Sequence, residues 1–481
     1  MKESLWGEAF NIDDTKKKTK SILKKIQNPV ENVDVTKVIK SKKLPLENRL
    51  ALIKENVLRI LGTYVQDTLV IKTKEQLVSY IDKAIANDII SIDTETNRSL
   101  DPLTCILMGP CIYTPGEKNA YIPLNHVNPT TGERLDWQLT EADIKEQFDR
   151  LKDTKIIMHH GKFDYQVIRC TCNCNLKIYW DTMVGARILD ENELAGLKQQ
   201  YIEKIDPSIE KYNINMFFEN VEYAQVDPEI FALYAATDAY MTYKLYEYQL
   251  EQFNLPDNAK IYSVFKNIEM PLIEVAADME LRGVYIDQEY AKRLSNKYTK
   301  ALEECDRQVS EEVSQLQDKI TKWRKSEEAN VKQVVKGKEG KSKNEQLTDP
   351  PNLDSPLQLS ILLYDVLKLP QVDKKTPRGT GEDIIKKLVE KCGKDKFKLG
   401  DLILKKRGMV KLLNTFIDKL PASVNPVDRR LHAHFNQLGA DTGRFSSSEP
   451  NLQNIPSHAK EVRLMFSAAP GCKLVGADFS L

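Results

Sequence analysis

The chain has 481 residues, and its 70 Lys+Arg balance 70 Asp+Glu, so net charge identifies no partner and any basic surface must come from local clustering. No apolar run approaches the roughly 20 residues of a membrane-spanning helix, and Met1-Lys2-Glu3-Ser4-Leu5-Trp6 lacks the apolar stretch of a secretion signal. Eight cysteines are too sparse for a disulfide scaffold, which points to a reducing cytoplasmic interior, and the length calls for two or three domains.

Residues 1–66 are polar and lysine-rich, with Lys16-Lys17-Lys18 and Lys24-Lys25 as basic clusters. The lysines read as a solvated face rather than a nucleic-acid-binding arm. Leu50, Ile53, Val57, Ile60 and Leu61 have helical spacing, so Leu46 to Gly62 reads as one amphipathic helix. An α/β pattern begins at Thr68. Leu69-Val70-Ile71 reads as a strand and Lys74 to Asn87 as a helix.

Ile89-Ile90-Ser91-Ile92-Asp93-Thr94-Glu95 then reads as a strand buried on both faces. Side chains at i and i+2 of a strand share a face, so Asp93 and Glu95 project together. Like charges held that close repel, and hard cations such as Mg²⁺ or Mn²⁺ offset the cost. Cys105 to Met108, Cys111 to Tyr113 and Ala120 to Leu124, broken by Pro115-Gly116, read as an antiparallel meander. A helix is expected from Thr140 to Leu151 and a second buried strand over Lys155 to His159. Asp164 opens the helix that follows, which runs to Ile168. Cys170, Cys172 and Cys174 have poor spacing for structural zinc and read as ordinary thiols.

Asp227-Pro228-Glu229 is a helix start, with a capping aspartate, proline at the first helical position and an acid in the first turn. Tyr234 and Asp238, four apart, share a face of that helix. A buried aspartate there is costly unless paired or metal-bound.

In order and flanks, these carboxylates resemble the three motifs of the DEDDy 3′→5′ exonucleases, the proofreading domain of family A DNA polymerases. The resemblance implies an α/β RNase H-like exonuclease domain over residues 67–255. Asp93, Glu95, Asp164 and Asp238 would be ligands to two Mg²⁺ or Mn²⁺ ions, and Tyr234 would help Glu95 orient the attacking water. Two cations about 3.5–4 Å apart can activate a water and stabilise a leaving 3′ oxygen. The second motif departs from the family in one place: His160 stands where asparagine is usual.

Helical periodicity resumes at Ile268 to Met279, and Gly283 to Asp287 closes that segment. A long helix is expected from Glu289 to Lys322. Lys325 to Asp349 is basic and low in complexity, which reads as a flexible loop. Asn352-Leu353-Asp354-Ser355-Pro356 caps a further helix, and helices continue to Leu420. Residues 256–423 resemble the mainly α thumb of the same family, with Ser355, Arg407 and Lys411 at its DNA-binding positions.

Asp441 to Pro456 nearly matches the family's T-G-R-L-S-S-x-x-P-N-L-Q-N-I-P signature, which opens an α+β palm over 424–481. Arg444, Asn451, Gln453 and Asn454 would reach minor-groove acceptors that all correct base pairs share. Leu474 to Ser480 resembles polymerase motif A, a strand whose Asp478 would bind the catalytic metals, with Arg463 upstream.

The resemblance implies the N-terminal portion of a proofreading, replicative DNA polymerase of phage type. It would act on primer-template and single-stranded 3′ ends in the cytoplasm, that of the host if phage-encoded. The family's fingers helix and its later carboxylate motif do not follow Leu481, and 1–66 are too short for its 5′-nuclease domain. A second polypeptide carrying fingers and the rest of the palm is therefore one expected partner. A standalone exonuclease with a C-terminal DNA-binding module is the competing reading, and the signature together with Asp478 argues against it.

Overall fold

The computed structural model describes residues 44–209, 217–331, 346–440 and 442–478. The lysine clusters before residue 44, most of the basic loop, Asp441, Phe479 and Ser480 lie outside the described residues. Among the described residues no helix is long and apolar enough to cross a membrane. They form two units, residues through Leu281 with Phe435–Ser446, and Arg282–His434 with Ser447 onward.

The first unit opens with α1 (Leu46–Leu61), which buries Leu50, Ile53, Val57 and Leu61 at the spacing seen in sequence. Its sheet comprises β1 (Thr68–Val70), β2 (Ile89–Thr96), β3 (Leu107–Tyr113), β4 (Asn119–Tyr121), β5 (Lys155–Met158) and β6 (Ile178–Asp181), in the order β1-β4-β3-β2-β5-β6. β2 pairs antiparallel with β3 and parallel with β5, so the unit combines a hairpin meander with α/β crossovers. The two apolar runs expected as separate strands near Met108 and Cys111 are one strand. Its register with β2 slips between Glu95 and Thr96, where β2 passes the carboxylate pair.

Helices cover the sheet: α2 (Lys74–Ala86), α3 (Glu141–Phe148), α4 (Gly161–Cys172), α5 (Thr182–Leu189), α6 (Leu197–Lys204) and α7 (Pro228–Phe253). Capping boxes at Thr73 with Gln76 and at Thr140 with Asp143 start α2 and α3. α7 lies across the strands, and Ala235, Ala236 and Ala239, all fully buried, let its backbone approach them closely. Ser91 Oγ donates to the Ala239 carbonyl and pins that approach.

α8 (Ala259–Val264) and α9 (Met270–Arg282) extend the same core, because Phe265, Met270, Ile273 and Ala277 are buried with Trp180. The Trp180 ring lies 4.5 Å from Phe265 and 5.1 Å from Tyr246, and its indole N–H donates to Gln249 at 2.9 Å.

The second unit is mainly helical, with α10 (Gln288–Gln315), α11 (Gln317–Val331), α12 (Pro356–Ser360), α13 (Glu382–Cys392), α14 (Lys398–Leu412), α15 (Lys419–Ala422) and α16 (Lys460–Arg463). The single helix expected over 289–322 is two. The break at Leu316 turns Ile320 and Trp323 into the cluster of Leu359, Leu362, Ile385 and Leu388. α11 also carries helix to Val331, into the stretch expected as loop.

Over its described part, Leu474 to Asp478, the strand expected to run to Ser480 does not form. Residues 472–478 have no strand, and Leu474 and Val475 are 68% and 92% exposed. A β-rich run becomes a strand only where a ladder partner receives it, and none of the described residues pairs with this one.

Candidate active site

Alternation along β2 sends Ile90, Ile92 and Thr94 to one face, and Ser91, Asp93 and Glu95 to the face that meets α7. α7 starts where its sequence signals it. Asp227 caps it by accepting from the Glu229 amide at 2.9 Å, and Pro228 takes the first helical position. Asp238 then reaches the strand end, and carboxylate oxygens of Asp93, Glu95 and Asp238 lie within 4.8 Å of one another. It is the one group of three metal-capable side chains among the described residues.

Tyr234 precedes Asp238 by one turn on the same helix. Its ring is buried edge-on against Phe218, with centroids 5.8 Å apart. The Lys198 ammonium, from α6, donates to the Tyr234 hydroxyl at 3.1 Å and to Asp238 Oδ2 at 2.8 Å.

Asp164 stands beside the cluster rather than inside it. Its Oδ1 accepts from the Thr94 amide at 2.9 Å and the Thr94 hydroxyl at 2.6 Å. The turn into α4 is set by His160, whose φ of 59° and ψ of 38° place it in the left-handed region. Among non-glycine residues histidine, asparagine and aspartate adopt that conformation most readily. Histidine and asparagine alike accommodate the backbone found at His160. Asp181 completes the junction: its carboxylate accepts from the Gly161 amide at 2.7 Å and the Met183 amide at 2.8 Å, tying the start of α4 to that of α5.

Burial raises Asp93 well above the ordinary carboxylate range, and repulsion from Asp164, Asp238 and Glu95 adds to it. Burial likewise lifts Glu95 to about 8, with Asp238 repelling it and Lys198 opposing the rise. Asp164 is lifted to about 7, against which Thr94 works by hydrogen-bonding the charged form. Burial also raises the Tyr234 hydroxyl, so it stays protonated at neutral pH. A site this acidic and this poorly solvated favours a bound cation.

Asp238 supplies the direct test, because its Oδ1 is buried and has no hydrogen-bond partner among the described residues. An orphaned carboxylate oxygen beside two further carboxylates is what a hard, oxygen-preferring divalent cation satisfies. The donor set fits.

The other residues singled out in sequence fall in varied settings. Ser355 caps α12 by accepting from the Gln358 amide at 3.5 Å, so its hydroxyl has a local structural role. Arg407 donates to the Thr380 carbonyl at 2.6 Å, and Lys411, one turn on, is exposed. Arg444, Gln453 and Asn454 are exposed, and Asn451 Oδ1 accepts from the Gln453 amide at 3.0 Å and the Asn454 amide at 3.2 Å. Arg463 and Asp478 are exposed, and Asp478 is in no group of metal-capable side chains among the described residues.

Three contributors went unremarked in sequence: Thr94, Asp181 and Lys198. Asp181 carried a readable signal, a capping residue ahead of an apolar helical run. Lys198 carried none.

Comparison with known proteins gives two family matches. Residues 69–252 match the 3′-5′ exonuclease family and residues 299–481 match DNA polymerase family A. The chain is 30% identical over 402 residues to DNA polymerase I of Chloroflexus aurantiacus, covering 81% of this chain and 38% of that protein. It is 27% identical to DNA polymerase I of Treponema pallidum, covering 95% of this chain and 46% of that protein. The chain thus spans less than half the length of these relatives. A solved structure titled "POL domain of Pol1 from M. smegmatis complex with DNA primer-template and dNTP" superposes with a TM-score of 0.58 at 19% identity, covering 84% of this chain and 59% of that one.

Proposed function

Because the chain belongs to the family A DNA polymerases and carries their 3′-5′ exonuclease domain, we propose that residues 67–255 remove nucleotides from DNA 3′ ends at the Asp93, Glu95 and Asp238 cluster, as the proofreading part of a replicative enzyme. The observation that carries this reading is the buried, unpartnered Asp238 Oδ1 beside two further carboxylates.

The residues expected to hold the cofactor are Asp93, Glu95, Asp164 and Asp238, and Mg²⁺ or Mn²⁺ bound there would activate water and offset charge on the leaving oxygen. The reaction is an in-line displacement. Water oxygen bonds to the terminal phosphorus, the P–O3′ bond breaks, and a 5′-mononucleotide leaves a shortened strand with a free 3′ hydroxyl. Glu95, which a bound cation would hold in its charged form against the burial that raises it to about 8, orients the water and accepts its proton, while the leaving O3′ takes up a proton. Tyr234, protonated throughout, holds that water by its hydroxyl and excludes bulk solvent with its ring.

Residues 256–423 and 424–481 are proposed as thumb and palm of the whole protein, with templated synthesis as its activity. Arg444, Asn451, Gln453 and Asn454 would contact a primer-template duplex, with Arg407, Lys411 and Ser355 on the thumb and Asp478 as a palm metal ligand. The DNA primer-template and dNTP held by the Pol1 structure support that partner class. A cytoplasmic setting fits the free cysteines among the described residues.

Asp164→Ala tests the reading. With Mg²⁺ or Mn²⁺ the wild type should shorten a single-stranded oligonucleotide from its 3′ end, EDTA should stop it, and the variant should fold but not degrade. A variant that degrades at the wild-type rate would remove Asp164 from the site.

A further inference from the structure

The acidic cluster has a cation of its own. Lys198 projects from α6 with its side chain only 20% exposed, against 13% for Asp238. A solvated surface lysine ordinarily makes one loose ion pair. This one makes three contacts at once: 2.8 Å to Asp238 Oδ2, 3.1 Å to the Tyr234 hydroxyl, and 4.2 Å from its ammonium to the centre of the Tyr234 ring. Its charge also reaches Asp93 and Glu95, opposing the repulsion among the carboxylates.

The consequence lies in which atoms it leaves over. By engaging Asp238 Oδ2, Lys198 fixes a carboxylate whose Oδ1 is buried and has no hydrogen-bond partner among the described residues. By donating to the Tyr234 oxygen, it occupies one lone pair and leaves the O–H proton to point elsewhere. One ammonium therefore sets the orientation of two groups that the hydrolysis uses.

We infer that Lys198 is a positioning residue of the exonuclease site, fixing Asp238 and Tyr234 together for attack on the 3′-terminal phosphodiester. The inference rests on the exonuclease reading given above. Lys198 touches neither the reacting water nor the phosphate in this role, and acts through the two side chains it holds. Removing it takes one positive charge out of the site, so cation affinity should not fall while turnover does. A merely structural lysine behaves differently: its loss loosens the site, and cation binding and turnover fall together.

The test uses the full chain with Lys198→Met, Lys198→Gln, Lys198→Arg, Tyr234→Phe and the Lys198→Met/Tyr234→Phe double variant. Gln keeps the shape and a donor without the charge, and serves should Met not fold. Two quantities are measured: kcat and KM on a single-stranded oligonucleotide with Mn²⁺, and Mn²⁺ binding without DNA, read by the paramagnetic resonance of free Mn²⁺. Met and Gln should lower kcat by about 10–100-fold, the usual cost of losing a group that orients a metal-site side chain. KM should stay within about twofold and Mn²⁺ binding should be no weaker. Arg should recover most of the rate, and Tyr234→Phe should cost less on top of Lys198→Met than it costs alone, because part of what Lys198 does passes through that hydroxyl.

Wild-type kcat in both Met and Gln variants, fully multiplicative losses in the double variant, or Mn²⁺ binding lost in parallel with kcat would each overturn the role of Lys198. A wild-type chain that degrades no DNA would instead overturn the exonuclease reading itself.

Discussion

Thr94 holds Asp164 twice through one oxygen, its amide donating over 2.9 Å and its hydroxyl over 2.6 Å. Both residues are buried, at 8% and 4% exposure, so neither bond competes with bulk water. The strand that presents Asp93 and Glu95 thereby orients the carboxylate arriving from α4. Thr94→Val keeps the shape and the amide but deletes the hydroxyl donor. A hydrogen bond to a charged group contributes about 1.5–3 kcal/mol, so 3′-end degradation should slow by roughly 10–100-fold. Steady-state rates with intact thermal unfolding check this, and a wild-type rate contradicts it.

A buried ion pair anchors the start of α4. Lys162, two residues before Asp164, donates to Glu280 at 2.6 Å and to the Phe435 carbonyl at 2.7 Å, and Gln166 also donates to Glu280 at 2.8 Å. Breaking such a pair leaves an uncompensated charge at a cost of about 3–5 kcal/mol. Glu280→Gln should lower the unfolding free energy from denaturant titration by about that much, and Lys162→Met/Glu280→Gln should lose less than the sum of the single losses. Additive losses would show that the pair is not coupled.

His126 makes the unit acid-sensitive independently of any cation. Fully buried, it bonds the Tyr121 hydroxyl at 2.8 Å and the Val226 carbonyl at 2.9 Å, just before α7. Burial lowers it from 6.5 to about 4, so the folded state resists the proton that the unfolded chain takes up. Its contribution is complete above about pH 6.5 and is lost as pH falls toward 4, by about 3 kcal/mol at most. Asp93, Glu95 and Asp164, raised by burial, act in the opposite sense over this range, so the loss should show as a difference: from pH 7 to pH 4 the wild type loses stability relative to His126→Gln. An equally steep decline in the variant would assign the acid sensitivity elsewhere.

Arg444 is exposed, with its guanidinium available to a duplex. Arg444→Ala should weaken primer-template binding by about 1–3 kcal/mol, similarly across duplex sequences, because the minor-groove acceptors it would read are shared. Single-strand degradation should be nearly unchanged. A strongly sequence-dependent loss would contradict minor-groove reading of that kind.

What could be read in sequence was what the local chain dictates. Asp93 and Glu95 share a face because a strand has period two, and Tyr234 and Asp238 because a helix turns in 3.6 residues. Asp227-Pro228 announced α7 by capping chemistry. What escaped depends on residues far apart. Nothing near Lys198 marks it, since its partners lie 36 and 40 positions away. The break at Leu316 has no proline or glycine to signal it, and is set by Ile320 and Trp323 turning into a distant cluster. The run at Leu474 has strand composition but no ladder partner among the described residues. His160 looked anomalous as a residue type and is ordinary as a left-handed backbone position.

The most direct measurement is single-turnover degradation of a 5′-labelled single strand by the full chain in Mn²⁺, with Asp238→Asn alongside. Asparagine keeps an oxygen for Lys198 and removes the charge that the buried Oδ1 shares. The expected result is a ladder shortening one nucleotide at a time from the 3′ end in the wild type, lost in Asp238→Asn although both unfold at similar temperatures. An Asp238→Asn ladder that advances as fast as the wild type's would contradict the assignment of this carboxylate cluster as the exonuclease site.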